Sequence, residues 1–348
     1  MRNASLLPLM ALLALVPGAA AAEDPLFTSE EVLAIRLIAP LKGLARDRSS
    51  EPEDRPATLT YTDVDGTERS FEIGIRPRGR SRRDREVCTF PPLRVNLRKK
   101  EADGTLFDGQ DKLKLVTHCR RSSRHDRYVQ KEYLAYRILN NLTDASFRVR
   151  PLDIEYVDQD SGKPLERRFG FFIEHEKRLA KRLAMEVAEP EAIDRARFEP
   201  EHASLMALFQ FMIGNTDFSF IASAEEDDCC HNATVLVDAG GNQHPMPYDF
   251  DISGFVDPPY AVVDQQLSIR NVRQRLYRGI CYDEATFEKA VTRLRDARGA
   301  IDEVLSSETT LEAQTRQSAR SYIDGFYAVI DDPQAFRRKV LEECRGAA

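Results

Sequence analysis

The chain has 348 residues, with 50 Lys and Arg against 57 Asp and Glu, a formal net charge of −7, six cysteines and no tryptophan. This mildly acidic balance excludes generic nucleic-acid binding, which needs a basic surface. The length suffices for one large domain or two joined lobes, and nothing beyond the N-terminus approaches the roughly 18 apolar residues of a membrane-spanning helix.

Arg2 precedes an apolar run at 6–16, and Ala20-Ala21-Ala22 forms a small-residue cleavage site. Residues 1–22 therefore read as a secretory signal peptide, and the chain as exported, periplasmic or extracellular, with no membrane span once matured. In that setting six cysteines form up to three disulfides. Leu33 begins a weakly alternating run at 33–38 that suits strand or helix. Runs at 58–62 and 69–75 flank Asp65-Gly66, a hairpin signal. Strands are expected at 93–97 and 113–116, with the turn residues Asp103-Gly104 between them. If these two pair as a hairpin, Cys88 and Cys119 meet at its open end.

Val129, Tyr133, Tyr136 and Ile138 then recur at helical spacing, predicting a helix over 127–141. Alternation returns at 147–156 and 168–173 around Ser161-Gly162. From Glu174 the pattern is mostly helical: an apolar helix at 198–213 ends at Gly214-Asn215, short strands at 234–237 and 244–248 flank Gly240-Gly241, and helices follow at 285–304, 310–330 and 333–344. Neighbours Cys229 and Cys230 are expected to reach Cys281 and Cys344, because adjacent cysteines close a bridge with difficulty. A zinc site at Cys230-His231 is the competing reading, although no second ligand pair has the usual spacing. The expected class is α+β, with a β-rich part at 23–174 and a helical part at 175–348.

Four groups of residues carry chemistry. Six arginines crowd 76–85 around Gly79; Arg78, Gly79 and Arg80 suit a loop that covers nucleotide phosphates, and a solvated hairpin tip is the bland alternative. Lys114 on a strand and Glu132 on the next helix are residue types that position phosphates when paired. Asp217 directly follows the apolar helix, Asn232 enters a strand, and Asp249 ends one, with Asp251 two residues later. A continued strand would set Asp249 and Asp251 on one face, where two like charges need a metal or other cation; turn aspartates or a structural calcium site are the alternatives. Arg270, Arg273, Arg275 and Arg278 read as a basic patch on a helix or a solvated face, and His118 and His125 as surface or structural residues. No G-x-S-x-G elbow and no H-E-x-x-H helix is present, so common hydrolase readings lack support.

The run Gly214-Asn215-Thr216-Asp217, the later Asn232 and Tyr248-Asp249 resemble the G-N-x-D, N and Y-D elements of HipA-type kinases. Arg78-Gly79-Arg80-Ser81 and Tyr248-Asp249-Phe250-Asp251 are similar to the CotH kinase family. The resemblance covers about half of the chain, roughly 76–251. It implies a two-lobed protein-kinase-like fold, β-rich N-terminal lobe first. It further implies Asp217 as catalytic base, Asn232 and Asp249 as metal ligands with Asp251 as a second carboxylate, Lys114 and Glu132 as an ion pair, and Glu174 near an interlobe hinge. Two departures stand out: the interval from Asp217 to Asn232 carries an acidic, cysteine-rich insertion, and Ser219 stands where a histidine would follow Asp217.

The leading expectation is an exported atypical kinase that transfers phosphate from ATP, with Mg²⁺ or Mn²⁺, to a protein or envelope acceptor. A catalytically inactive kinase-like module binding an anionic ligand is the second. A metal-dependent hydrolase using Asp217, Asp249 and Asp251 is the third.

Overall fold

The computed structural model describes residues 24–79, 81–221 and 229–347; the expected signal peptide at 1–22 and the site candidate Arg80 lie outside the described residues. In the first strand, β1 (Leu33–Ala39), buried Leu33, Ile35, Leu37 and Ala39 alternate with less buried side chains, a period of two that decides strand over helix. A short α1 (Leu41–Arg46) follows, then β2 (Arg55–Thr62) and β3 (Glu68–Pro77), joined by a turn whose Gly66 has φ +82°. Next come β4 (Leu93–Asn96), α2 (Lys99–Ala102), β5 (Lys112–Val116), α3 (Asp126–Leu142), β6 (Val149–Asp158) and β7 (Pro164–Ile173).

These strands do not make the open lobe that the motifs imply. They close into a seven-stranded barrel in the order β1-β2-β3-β4-β5-β7-β6. Neighbours pair antiparallel except β1 and β6, whose parallel register from Leu33↔Leu152 to Ala39↔Asp158 seals the cylinder. The two-lobed protein-kinase-like fold is therefore corrected. The closing pair joins segments 119 positions apart at Arg36 and Glu155, and local alternation carries no information about so distant a partner. Closure removes the free edges of this sheet and encloses a core that includes Leu37, Leu59, Val95, Leu115 and Phe172.

Beyond the barrel run α4 (Glu176–Arg182), β8 (Glu186–Val187), α5 (Pro200–Ile213), β9 (Ala233–Val237), β10 (Gln243–Pro247), β11 (Ile280–Cys281), α6 (Glu284–Asp296), α7 (Arg298–Ser307), α8 (Ala313–Ile330), α9 (Pro333–Phe336) and β12 (Arg345–Ala347). A small sheet has the order β10-β9-β8, and β11 pairs with β12 in parallel. The helix expected at 285–304 is two helices meeting at Ala297, and the segment holding Arg270 to Arg278 is not helical.

A second core joins α3, α5 and the C-terminal helices to Val116, Val149, Phe171 and Ile173 of the barrel wall. Within α5 every residue from Ala203 to Ile213 is buried, which makes it the rigid post behind the motifs. Glu199 caps its start, and Gly214 ends it at φ +62°, where a Cβ would fall 2.0 Å from the Tyr322 hydroxyl oxygen. Among the described residues no helix is long and apolar enough to cross a membrane.

Three disulfides pair all six cysteines. Cys88–Cys119 forms where the β4–β5 hairpin opens, with its Cα atoms 4.6 Å apart. The expectation that Cys229 and Cys230 reach Cys281 and Cys344 is corrected. Cys281 joins Cys344 across the β11–β12 pair, so Cys229 and Cys230 bond to each other.

Candidate functional site

The register of β3, β4 and β5 places Arg76 opposite Arg94, and Arg94 opposite Lys114. Three cations thus stand side by side on the barrel wall, a destabilising arrangement for directly opposed like charges. Little acid answers them. Arg76 lies 3.6 Å from Asp54, Lys114 lies 4.0 Å from Glu176, and Arg94 has no ion-pair partner among the described residues. Burial and the neighbouring Arg76 and Arg78 lower the Arg94 pKa. Burial, with Arg78 adding to it, brings Lys114 down to about 8. The Lys114 ammonium also sits over the Tyr248 ring, 4.2 Å from its centroid.

Near the Lys114 end of this row is an acidic cluster, whose Asp249 is coupled by charge to Lys114. Ligand oxygens of Glu132, Asp249 and Asp251 lie within 4.8 Å of one another. Arg82, only 5% exposed on the turn Ser81–Arg83, sits among them. Its guanidinium reaches Glu132 Oε2 at 3.3 Å and Asp251 Oδ2 at 3.3 Å, and also bonds Asp249 Oδ1. Burial pushes Glu132 and Asp251 well above the usual carboxylate range, against the pull of Arg82. Burial also opposes ionisation of Asp249, but Arg82, Arg78 and Lys114 outweigh it and hold that carboxyl low. Glu132 is 1% exposed, and its Oε1 has no hydrogen-bond partner, an unmet acceptor inside the cluster.

The third group hangs from the end of α5. Asn215 bonds Gln210 Oε1 and accepts the Asp217 N–H at 2.9 Å, fixing the loop. Ser219 and His231 exchange backbone hydrogen bonds of 2.9 and 3.0 Å, which brings His231 Nε2 to 2.9 Å from Asp217 Oδ1. Asn232 Nδ2 donates to Asp217 Oδ2 at 3.0 Å and to its carbonyl at 2.7 Å. The bond to Asp217 raises the His231 pKa, and both side chains are more than a third exposed.

Asn232 precedes β9, and Tyr248-Asp249 follows β10. The pair Ala233↔Pro247 and the Tyr248 N–H donating to the Asn232 carbonyl at 2.9 Å bring the two motifs together. Both Asn232 and Asp249 adopt left-handed φ, 51° and 61°. Such backbone costs about 1–3 kcal/mol for a non-glycine residue and is held by its surroundings, here partly by the Asp249 N–H bond to the Tyr136 hydroxyl at 2.9 Å. Asp249 and Asp251 therefore converge through a turn, not along one strand as the spacing suggested.

Asp217, Asn232, Lys114, Asp249, Asp251 and Glu132 thus share one region, tied by direct bonds or by charge coupling across it. Lys114 and Glu132 do not pair with each other; Arg82 takes Glu132, and Lys114 takes Glu176. Glu174 is buried against Arg182 and the Arg148 N–H, where it braces the β7–α4 junction. Gly79 is exposed at φ +81° in the arginine loop. Of the Arg270–Arg278 set, Arg273 pairs with Asp257 and shares the Tyr322 ring with Arg275, while Arg278 bonds the Thr216 carbonyl, so these arginines are engaged within the fold and not on one helix face. Sequence reasoning missed Arg82, the Arg76–Arg94 continuation of the Lys114 row and the His231 partnership. The cation row was accessible from the hairpin register. Nothing in the spacing marked Arg82 out from the five other arginines.

The clustered carboxylates supply hard oxygen donors of the kind Mg²⁺ and Mn²⁺ take, and the unmet Glu132 Oε1 fits such an ion. Comparison with known proteins gives no match, either to a family model or to a curated sequence.

Proposed function

We propose that this chain is an exported phosphotransferase that uses ATP with Mg²⁺ or Mn²⁺ to phosphorylate a hydroxyl on a protein or envelope acceptor. The observation that carries the reading is the under-neutralised row Arg76–Arg94–Lys114, whose Lys114 end is coupled by charge to Asp249 of the Glu132–Asp249–Asp251 cluster. A metal–polyphosphate carries both signs of charge and answers both faces at once. Export is supported by three disulfides among the described residues.

In this reading Lys114 and Arg94 hold the phosphates of the nucleotide. Asp249, with Asp251 and Glu132, would hold the divalent ion, whose chemistry would be neutralisation of phosphate charge. Asp217, steadied by Asn232 and His231, orients the acceptor hydroxyl and takes its proton. The motif resemblance to HipA-type and CotH kinases points to the same chemistry, although the closed barrel is not their two-lobed fold.

The Asp217–His231 pair favours a second reading, hydrolysis, since a half-exposed imidazole beside a carboxylate suits activation of water. Purified protein incubated with γ-labelled ATP, Mn²⁺ and envelope extract separates them. Label on protein or envelope material supports transfer, label released only as phosphate supports hydrolysis, and no metal-dependent nucleotide binding rejects both.

A further inference from the structure

A second concavity lies away from this site, at the rim where β1, β3, β5 and β6 end and β2, β4 and β7 begin. It has a volume of about 680 Å³, and α1, the chain around the Cys88–Cys119 bridge and the β6–β7 hairpin form its walls. Barrel mouths are recurrent ligand sites, and the volume falls in the usual range for small molecules. Its lining has two characters. Phe90, Tyr156 and Leu41 present apolar surface, with Phe90 stacked on His118 at 4.8 Å between ring centroids. Lys42, Arg46, Arg85 and Arg121 ring the opening, and none has an ion-pair partner among the described residues. The one acid there, Glu166, is already engaged by His118 and Arg168, and the His118 bond pulls it down to about 2.

His118 and Tyr156 are 3% and 1% exposed, so their rings form the floor of the cavity.

We propose that this barrel mouth binds a small organic anion with an apolar body. Its hydrocarbon or ring lies on Phe90 and Tyr156, and its anionic group faces Lys42, Arg46, Arg85 and Arg121. The site is separate from the acidic cluster and stands whether or not the chain transfers phosphate.

The test uses two fluorescent probes with the same aromatic body, 1-anilinonaphthalene-8-sulfonate and uncharged N-phenyl-1-naphthylamine, on the mature protein. The sulfonate is expected to bind at a single saturable site, at least about tenfold more tightly than the neutral probe. Lys42→Glu with Arg46→Glu, both exposed on α1, is expected to weaken the sulfonate about tenfold and leave the neutral probe unchanged. Ala45→Trp is expected to exclude both probes by filling the pocket. Absent or non-saturable sulfonate binding, equal affinity for both probes, or sulfonate binding unaltered by the charge reversal would each overturn the proposal. The charge reversal keeps the test decisive even if the tryptophan variant fails to fold.

Discussion

Replacing Arg82 with methionine tests the electrostatic design of the site most directly. The change keeps the length of the side chain and removes the cation bonded to Glu132, Asp249 and Asp251. Stripping one partner from a buried charged set costs about 3–5 kcal/mol, because the remaining charges are left uncompensated. With an unfolding entropy near 2 cal/mol/K per residue, a chain of this size loses roughly 1.5 °C per kcal/mol, so Tm is expected to fall by about 4–8 °C at pH 8.

The pH dependence has a definite sign. Glu132 and Asp251 have folded pKa values raised by burial, so the stability they contribute is fully present below the ordinary carboxylate range near 4 and is lost as pH rises through their folded values. Removal of Arg82 raises those values further. The Arg82→Met defect should accordingly be smaller at pH 5 than at pH 8, and millimolar Mg²⁺ or Mn²⁺ should restore part of Tm at pH 8 by replacing the lost charge. Differential scanning fluorimetry at both pH values, with and without metal, gives the answer. An equal Tm loss at pH 5 and pH 8, with no response to metal, would refute the view that charge compensation holds this cluster.

Asp217→Asn is nearly isosteric and should keep nucleotide and metal binding while lowering transfer by a factor on the order of 10², read as γ-label incorporation under single-turnover conditions; unchanged transfer removes Asp217 from the reaction. Lys114→Met should weaken nucleotide binding about tenfold by calorimetry, and wild-type affinity should itself decline as pH rises through about 8, where Lys114 loses its charge. Opening the Cys88–Cys119 bridge, 31 positions apart, with a double serine variant should destabilise by about 3–4 kcal/mol in denaturant titration, and a loss below 1 kcal/mol would show that the reduced loop keeps its ends together unaided.

Much of this molecule was legible locally. The hairpin turn at Asp65-Gly66, the helix around Val129 to Ile138, the buried helix closed by Gly214 and the Cys88–Cys119 pairing all follow from short-range period, turn chemistry and chain reach. The cysteine pairs at the other end were decided by a contact that no local rule describes, the strand Arg345–Ala347 returning beside Ile280–Cys281.

The motif residues Asp217, Asn232, Asp249 and Asp251 stood out in the sequence by their order and spacing after an apolar helix and at a strand end. What partners them was decided only in three dimensions. The parallel closure of β1 on β6 is a pairing between distant segments, and it turns a run of hairpins into a barrel. The tertiary fold presents the turn holding Arg82 to the acidic cluster, beside the Arg76–Arg94–Lys114 row that the β3–β4–β5 register sets up. Periodicity specifies which face of an element is buried; it does not specify which element lies opposite. The exchange of partners, Arg82 for Lys114 at Glu132 and Glu176 for Glu132 at Lys114, is therefore a property of the tertiary structure alone.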